Sequence, residues 1–266
     1  MTKIAITGIN GRMGQVLVRQ LMAKPHLRFA GGSVREGSAH IGQQIGSVIG
    51  LPGVLTPATD DLAALCAGAD AVIDFTRPEL TAEHAAHAAA NSCALVVGTT
   101  GLDDAQQAAI ELAAKRIPVL QAANMSIGVN LLLGLVEQVA RTLDADYDIE
   151  VVEMHHRHKV DAPSGTALAL GLAAARGRDV SLDDVADKVR DGIIGPRGRG
   201  DIGFATLRGG DVVGDHTVMF AGIGERIELT HKASTRDVFA QGAIRAASWL
   251  AGKPAGLYSM KDVLGL

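Results

Sequence analysis

The 266-residue chain has few aromatic residues, few cysteines and little net charge, and each shortage removes a class of function. Aromatics make up 3% of it, too few for a base-stacking platform or an aromatic-lined sugar site. Cys66 and Cys93 are its only cysteines and sit in apolar segments. Two thiols so placed build neither a disulfide scaffold nor a structural zinc site, and a reducing compartment is expected. The net charge is −4 with no basic stripe, so no nucleic-acid partner is expected. No apolar run reaches membrane-spanning length, and the chain enters a strand-like run without a charged-then-apolar leader, so a cytoplasmic location is expected. Glycine, by contrast, is plentiful. Its 32 copies are too many for a helical bundle and suit an α/β protein whose strand ends carry tight turns that ligands approach.

Residues 3–7 form a short apolar run, and Met13, Val16, Leu17, Gln20 and Leu21 then recur at helical spacing. Between them lies GINGRMG, with glycines at 8, 11 and 14. A turn this tight lets a pyrophosphate approach the backbone and sit over a helix N-terminus, where N–H groups and the helix dipole favour negative charge. The spacing is one residue longer than the common dinucleotide motif, and its place at the first strand-to-helix turn carries more weight than the glycines alone. The second strand, residues 27–34, ends without the acid that many dinucleotide folds direct at a ribose. Arg35 stands there instead, and Arg12 lies in the glycine loop. An arginine at this point accommodates a 2′-phosphate, so NADPH is the expected cofactor.

Residues 37–59 read as a surface loop with one short helix. Strands are expected at 69–76, 94–97 and 117–120, with an alanine-rich helix carrying His84 and His87 on its surface. The strand ends of a parallel sheet line up on one edge, so residues 8–14, 75–76, 98–100 and 122–125 should share one cleft.

Residues 153–167, EMHHRHKVDAPSGTA, hold the chemistry. His155, His156, His158 and Lys159 fall within five positions at the end of a strand-like run. Histidine carries a transferable proton near neutral pH, and lysine does so when partly desolvated. Pro163, read in the first turn of a helix, would leave the N–H groups of Gly165 and Thr166 and the Thr166 hydroxyl to bind an anion. Proton donors followed by an anion cradle suit a carboxylate substrate. The ordinary readings are a packed or surface histidine, a plain helix cap, and a histidine metal site, which lacks a cysteine or carboxylate at ligand spacing. No metal is expected.

A long apolar helix, 127–143, leads to a second layer, followed by a helix over 167–175 and a charged, glycine-punctuated connection, 179–200, that could serve as a flexible lid. Residues 202–207, 215–221 and 226–232 read as an antiparallel meander. A sheet with helices on one face has another to cover, and a second copy is the simplest cover, so a homo-oligomer is expected. A helix at 237–250 and a short tail at 257–264 return to the first layer. Hydride transfer calls for closure, with hinges near Ser126 and Asp237.

GINGRMG, GTTG at 98–101, AANMS at 122–126 and above all EMHHRHKVDAPSGTA resemble the 4-hydroxy-tetrahydrodipicolinate reductases, or dihydrodipicolinate reductases, of the diaminopimelate route to lysine. The resemblance implies an α/β fold: a Rossmann-type, doubly wound parallel sheet formed by residues 1–126 and 237–266. A second α+β domain, residues 127–236, would carry a mixed or antiparallel sheet for substrate binding and homotetramer formation. It implies NADPH or NADH as cofactor and a cyclic dicarboxylate as substrate. His155 would be the catalytic acid and Lys159 the second proton donor, with His156, Gly165 and Thr166 on the substrate carboxylates. Cofactor contacts would come from Gly8, Ile9, Asn10, Gly11, Arg12 and Met13, from Gly98, Thr99 and Thr100, and from Ala122, Ala123, Asn124 and Met125. Members that use NADH well carry an acid just before the arginine matched by Arg35. Val34 stands there, which strengthens the expectation of NADPH. The rival readings are another two-domain nicotinamide dehydrogenase, a catalytically idle NADPH sensor and a metal-dependent hydrolase.

Overall fold

Ile4 and Ile6 face one way from the first strand and Ala5 the other, and this period-2 parity sorts two cores around one sheet. The computed structural model describes residues 1–266. By its contacts the chain divides into two compact units, Met1–Ile127 with Asp237–Gly265, and Gly128–Arg236 with Leu266.

In chain order the first unit contains β1 (Thr2–Ile6), α1 (Arg12–Met22), β2 (Leu27–Ser33), α2 (Ile45–Ile49), β3 (Ala58–Thr59), α3 (Leu62–Ala67), β4 (Ala71–Asp74), α4 (Pro78–Ala90), β5 (Ala94–Val97), α5 (Asp104–Ala114) and β6 (Pro118–Gln121). The second contains most of α6 (Ile127–Thr142), then β7 (Asp148–His155), α7 (Gly165–Gly177), α8 (Leu182–Val185), β8 (Ala186–Asp187), β9 (Ile202–Arg208), β10 (Gly214–Gly222) and β11 (Glu225–Ala233). The chain then returns to the first unit with α9 (Asp237–Leu250), β12 (Gly256–Tyr258) and α10 (Met260–Leu264).

The first sheet has seven strands in the order β12-β6-β5-β4-β1-β2-β3, with every named pair parallel. Leu17, Val18 and Leu21 of α1 and Ala243, Ile244 and Ala247 of α9 pack with Ile4, Ile6, Ile73 and Val96 on one face. On the other, Leu65, Ala85, Ala88, Ile110 and Ala113 from α3, α4 and α5 cover Ala5, Val72, Leu95 and Val119. The helices after β1 and β4 therefore lie on opposite faces. Between the carboxyl ends of these two strands is the switch point where doubly wound sheets bind ligands. The loop expected at 37–59 also contributes β3 at the sheet edge.

The second sheet is mixed, in the order β11-β10-β7-β9-β8. The antiparallel meander expected from residue 202 onward fails for its first strand. β9 lies parallel to β7, while β10 lies antiparallel on the other side of β7 and pairs antiparallel with β11. The glycine-rich turn between β9 and β10 thus steps across the end of β7, where Gly209 N–H donates to His155 O and Val212 and Gly210 carbonyls accept from the N–H groups of His156 and Arg157. Leu170, Ala173 and Ala174 of α7 bury one face of the sheet against Ile149, Val151, Phe204, Val218 and Phe220.

The segment expected as a flexible lid, 179–200, is tied down in this structure. Arg190 grips both oxygens of Glu150 at 2.8 and 2.9 Å. Arg197 reaches Glu150 and Asp148 at 2.9 Å and also donates to the Ile149 and Asp201 carbonyls. Two carboxylates on β7, Asp148 and Glu150, hold what glycine content alone would leave loose.

Candidate active site

In the first unit, the expected cofactor residues all follow strand ends of one parallel sheet: Gly8–Met13 after β1, Arg35 after β2, Gly98–Thr100 after β5 and Ala122–Met125 after β6. The glycine loop closes on itself through Gly11 N–H to Gly8 O, 2.9 Å, and Gln15 Nε2 to Asn10 O, 3.1 Å. Gly14 is required by contact, because a Cβ there would stand 2.2 Å from Gly8 O. The first turn of α1 can therefore approach the loop closely enough to turn its N–H groups on a phosphate. Arg12 and Arg35 are exposed, Ile9 and Met125 are fully buried, and Val34 is buried, so these last three shape the site by packing and backbone only. Thr99 Oγ1 is buried without a hydrogen-bond partner.

A feature that sequence reasoning missed holds this edge together. Asp74, 0% exposed at the end of β4, receives Thr7 Oγ1 at 3.0 Å, Thr76 N at 3.0 Å, Thr76 Oγ1 at 2.6 Å and Thr81 Oγ1 at 3.1 Å. His84 Nδ1 lies 3.2 Å away. His84 was expected on a helix surface and is instead buried against this carboxylate, while His87 stays half-exposed and faces Glu83. Burial works to raise the Asp74 carboxyl, but contacts with His84, Thr76 and Thr7 outweigh it and hold it below the usual carboxylate range. The network ties the end of β1 to the loop after β4 at the switch point.

In the second unit, strand parity places Val151, Glu153 and His155 on the buried face of β7. A carboxylate there needs partners, and Glu153 has them. Its Oε2 accepts from His155 Nδ1 at 2.6 Å and Arg208 Nη1 at 2.8 Å, and its Oε1 from Arg208 Nη2 at 2.9 Å and Ser164 N at 3.0 Å. Burial pushes the Glu153 carboxyl up, and these donors, Arg208 first, bring it below its ordinary value. The ionised carboxylate fixes the Nδ1 proton of His155, leaving Nε2 as the exchangeable position. A Cβ on Gly214 would stand 3.0 Å from that Nε2, so glycine keeps the neighbouring strand from crowding it. Arg208 already balances Glu153, so a protonated His155 gives the cluster a net positive charge suited to an anion.

The remaining expected residues flank this cluster. His156 is half-buried, its ring 6.3 Å from His158 and its Nδ1 buried without a partner. Lys159 Nζ binds Asp161 Oδ1 at 2.8 Å. The helix α7 begins at Gly165 and its cap is Ser164, whose Oγ accepts from Ala167 N at 3.1 Å; Pro163 precedes the cap instead of lying in the first turn. Gly165 has open space where a Cβ would be, and Thr166 is half-buried beside it. Glu153, Ser164, Arg208 and His216 went unread as site residues.

His216 packs edge-on to His155, centroids 5.1 Å apart, with Nε2 3.1 Å from Ser164 Oγ. Burial first, then repulsion from His155, pushes its pKa down to about 4 against the pull of Glu153. The unfolded chain, with a histidine near 6.5, takes up a proton that the folded chain refuses. The stabilisation is therefore complete above about pH 6.5 and lost as pH falls toward 4, by about 3 kcal/mol. Thermal melts across that window should show the loss, and His216→Gln should reduce it; an equal loss in the variant would contradict this assignment.

Residues 2–125 match the family model for dihydrodipicolinate reductase, N-terminus, and residues 128–264 the model for its C-terminus. The 4-hydroxy-tetrahydrodipicolinate reductase of Ruegeria pomeroyi is 55% identical over 263 residues, covering 99% of this chain and 98% of the relative. That of Parvibaculum lavamentivorans is 54% identical over 266 residues, with 99% and 98% covered. Among solved structures, a dipicolinate-bound dihydrodipicolinate reductase from Paenisporosarcina sp. TG-14 has the same fold, with TM-score 0.79 at 24% identity over 97% of each chain. An amine dehydrogenase from Mycobacterium smegmatis is a looser likeness, with TM-score 0.61 at 11% identity over 97% of this chain and 95% of that one. With both halves matched in order and relatives more than half identical over nearly the full length, the chain belongs to the dihydrodipicolinate reductase family.

Proposed function

We propose that the chain reduces 4-hydroxy-tetrahydrodipicolinate to tetrahydrodipicolinate with loss of water, the substrate being the one for which its relatives are named. The observation that carries this reading is a proton donor, His155, oriented by a buried carboxylate in the same unit as Lys159 and the start of α7. A cyclic dicarboxylate needs both halves of that arrangement. Its carboxylates would meet the Gly165 and Thr166 N–H groups, a His156 ring N–H and the Lys159 ammonium, all of them donors. Loss of the hydroxyl as water leaves a conjugated acceptor. A nicotinamide cofactor, when bound, supplies the hydride. His155 Nε2 then delivers the proton that completes the product and regains one from water, while Glu153 holds the ring in place throughout. This gives residues 1–126 with 237–266 the cofactor role and 127–236 the substrate and oligomer role, in a cytoplasmic enzyme.

The glycine loop, the N–H groups opening α1 and the unpartnered Thr99 hydroxyl fit a dinucleotide. Arg35 and Arg12 are exposed and can meet a 2′-phosphate, whereas buried Val34 offers no acid to a ribose. The expected outcome is a kcat/KM with NADPH about tenfold above that with NADH, the worth of one charge-assisted contact. Equal values, measured side by side, would remove the cofactor assignment and leave the reaction intact. A homotetramer through the second unit is supported by the sheet's other face, where Val152, Met154 and Met219 are half-buried and Ala205 and Leu207 exposed. Sedimentation at fewer than four chain masses would count against it.

A further inference from the structure

Asp161 belongs to neither the proton-donor cluster nor the expected set of carboxylate contacts, yet it lies on both. Its Oδ1 accepts from Lys159 Nζ at 2.8 Å, and its side chain is 52% exposed. Lys159 comes first, with the Gly165 N–H also contributing, among the groups that hold this carboxyl below its ordinary value against partial burial. Its main-chain oxygen accepts from Arg208 Nη2 at 2.7 Å, so the residue's backbone is fixed to the arginine that binds Glu153. The backbone is thus anchored by Arg208, while the half-exposed carboxylate is held chiefly by Lys159. Its side-chain partner, the Lys159 ammonium, is a donor that the proposed function assigns to a substrate carboxylate.

We propose that Asp161 is an internal competitor for the substrate: its carboxylate occupies the Lys159 ammonium, and turns out to water when a substrate carboxylate takes that donor. The exchange is one carboxylate for another, so Lys159 keeps an anionic partner in both states. An ammonium so held keeps its long side chain directed at the cradle, sparing part of the ordering cost that binding would otherwise carry. The competitor's cost is an apparent affinity multiplied by the fraction of molecules in which the donor is free. An exposed pair of this kind is weak, which sets that factor at about two- to fivefold. The inference rests on the substrate-site reading above.

The test is calorimetric binding of pyridine-2,6-dicarboxylate, a planar ring with two carboxylates, to the full chain and to Asp161→Asn in the presence of NADPH. Tighter binding to Asp161→Asn by about two- to fivefold is expected. A structural lesion would weaken binding, so the direction separates the two. Equal or weaker binding by the variant, with the wild type binding normally, overturns the competitor role and leaves the substrate site standing. No binding to the wild type removes the substrate-site reading, and the competitor with it.

Discussion

Replacing His155 with Gln is expected to lower kcat by about 10²- to 10⁴-fold, the usual worth of a positioned proton donor. The amide can still accept or donate a hydrogen bond near Glu153, but it has no proton to give near neutral pH. The affinity for NADPH should hold, because the glycine loop and strand ends that would bind it lie in the first unit and His155 in the second. Turnover at the wild-type level would remove His155 from the mechanism. A matching loss of NADPH affinity would point to damage beyond the proton donor.

Glu153→Ala should strongly destabilise the second unit. It leaves the Arg208 guanidinium, the His155 Nδ1 proton and the Ser164 N–H without the acceptor that serves all three. Removing one partner of a buried ion pair costs about 3–5 kcal/mol, much of it from the charge left behind. Arg208→Ala should cost less, since Arg208 is 21% exposed and its removal leaves Glu153 two of its donors. The double variant should be less damaging than the two costs added, because the second change removes a charge that the first had orphaned. Calorimetry of the full chain and its variants would measure this. Simple additivity would mean that Glu153 and Arg208 act independently, contrary to their bidentate contact.

Much of this could be read in the sequence, for identifiable reasons. The parallel sheet was visible because strand, glycine turn and helix follow each other locally, and Gly8, Gly11 and Gly14 mark a turn where the chain must approach itself. The chemistry of His155 and Lys159 was visible because both fall in one run of five residues. The groups that set His155 to work were not. Glu153 shares its strand parity, but its partner Arg208 is 55 positions away and reaches it only because β9 lies beside β7. The same pairing defeated the meander reading, since nothing in residues 202–207 announces a parallel neighbour. His216 is 52 positions from the Ser164 it touches. Asp74 and His84 looked like a strand end and a helix surface, and only the fold brings Thr7, Thr76 and Thr81 around the carboxylate. Arg190 and Arg197 similarly turn an apparently loose segment into a clamp on Glu150. In most of these cases the missing information is a contact between residues distant in sequence, which local periodicity does not carry.

The most direct test of the proposed reaction is a coupled assay in which a dihydrodipicolinate synthase generates the substrate and nicotinamide absorbance at steady state reports its reduction. Oxidation of NADPH that requires the synthase product, and that falls with His155→Gln, is the expected result. No oxidation of either NADPH or NADH when that product is supplied would contradict the proposed reaction.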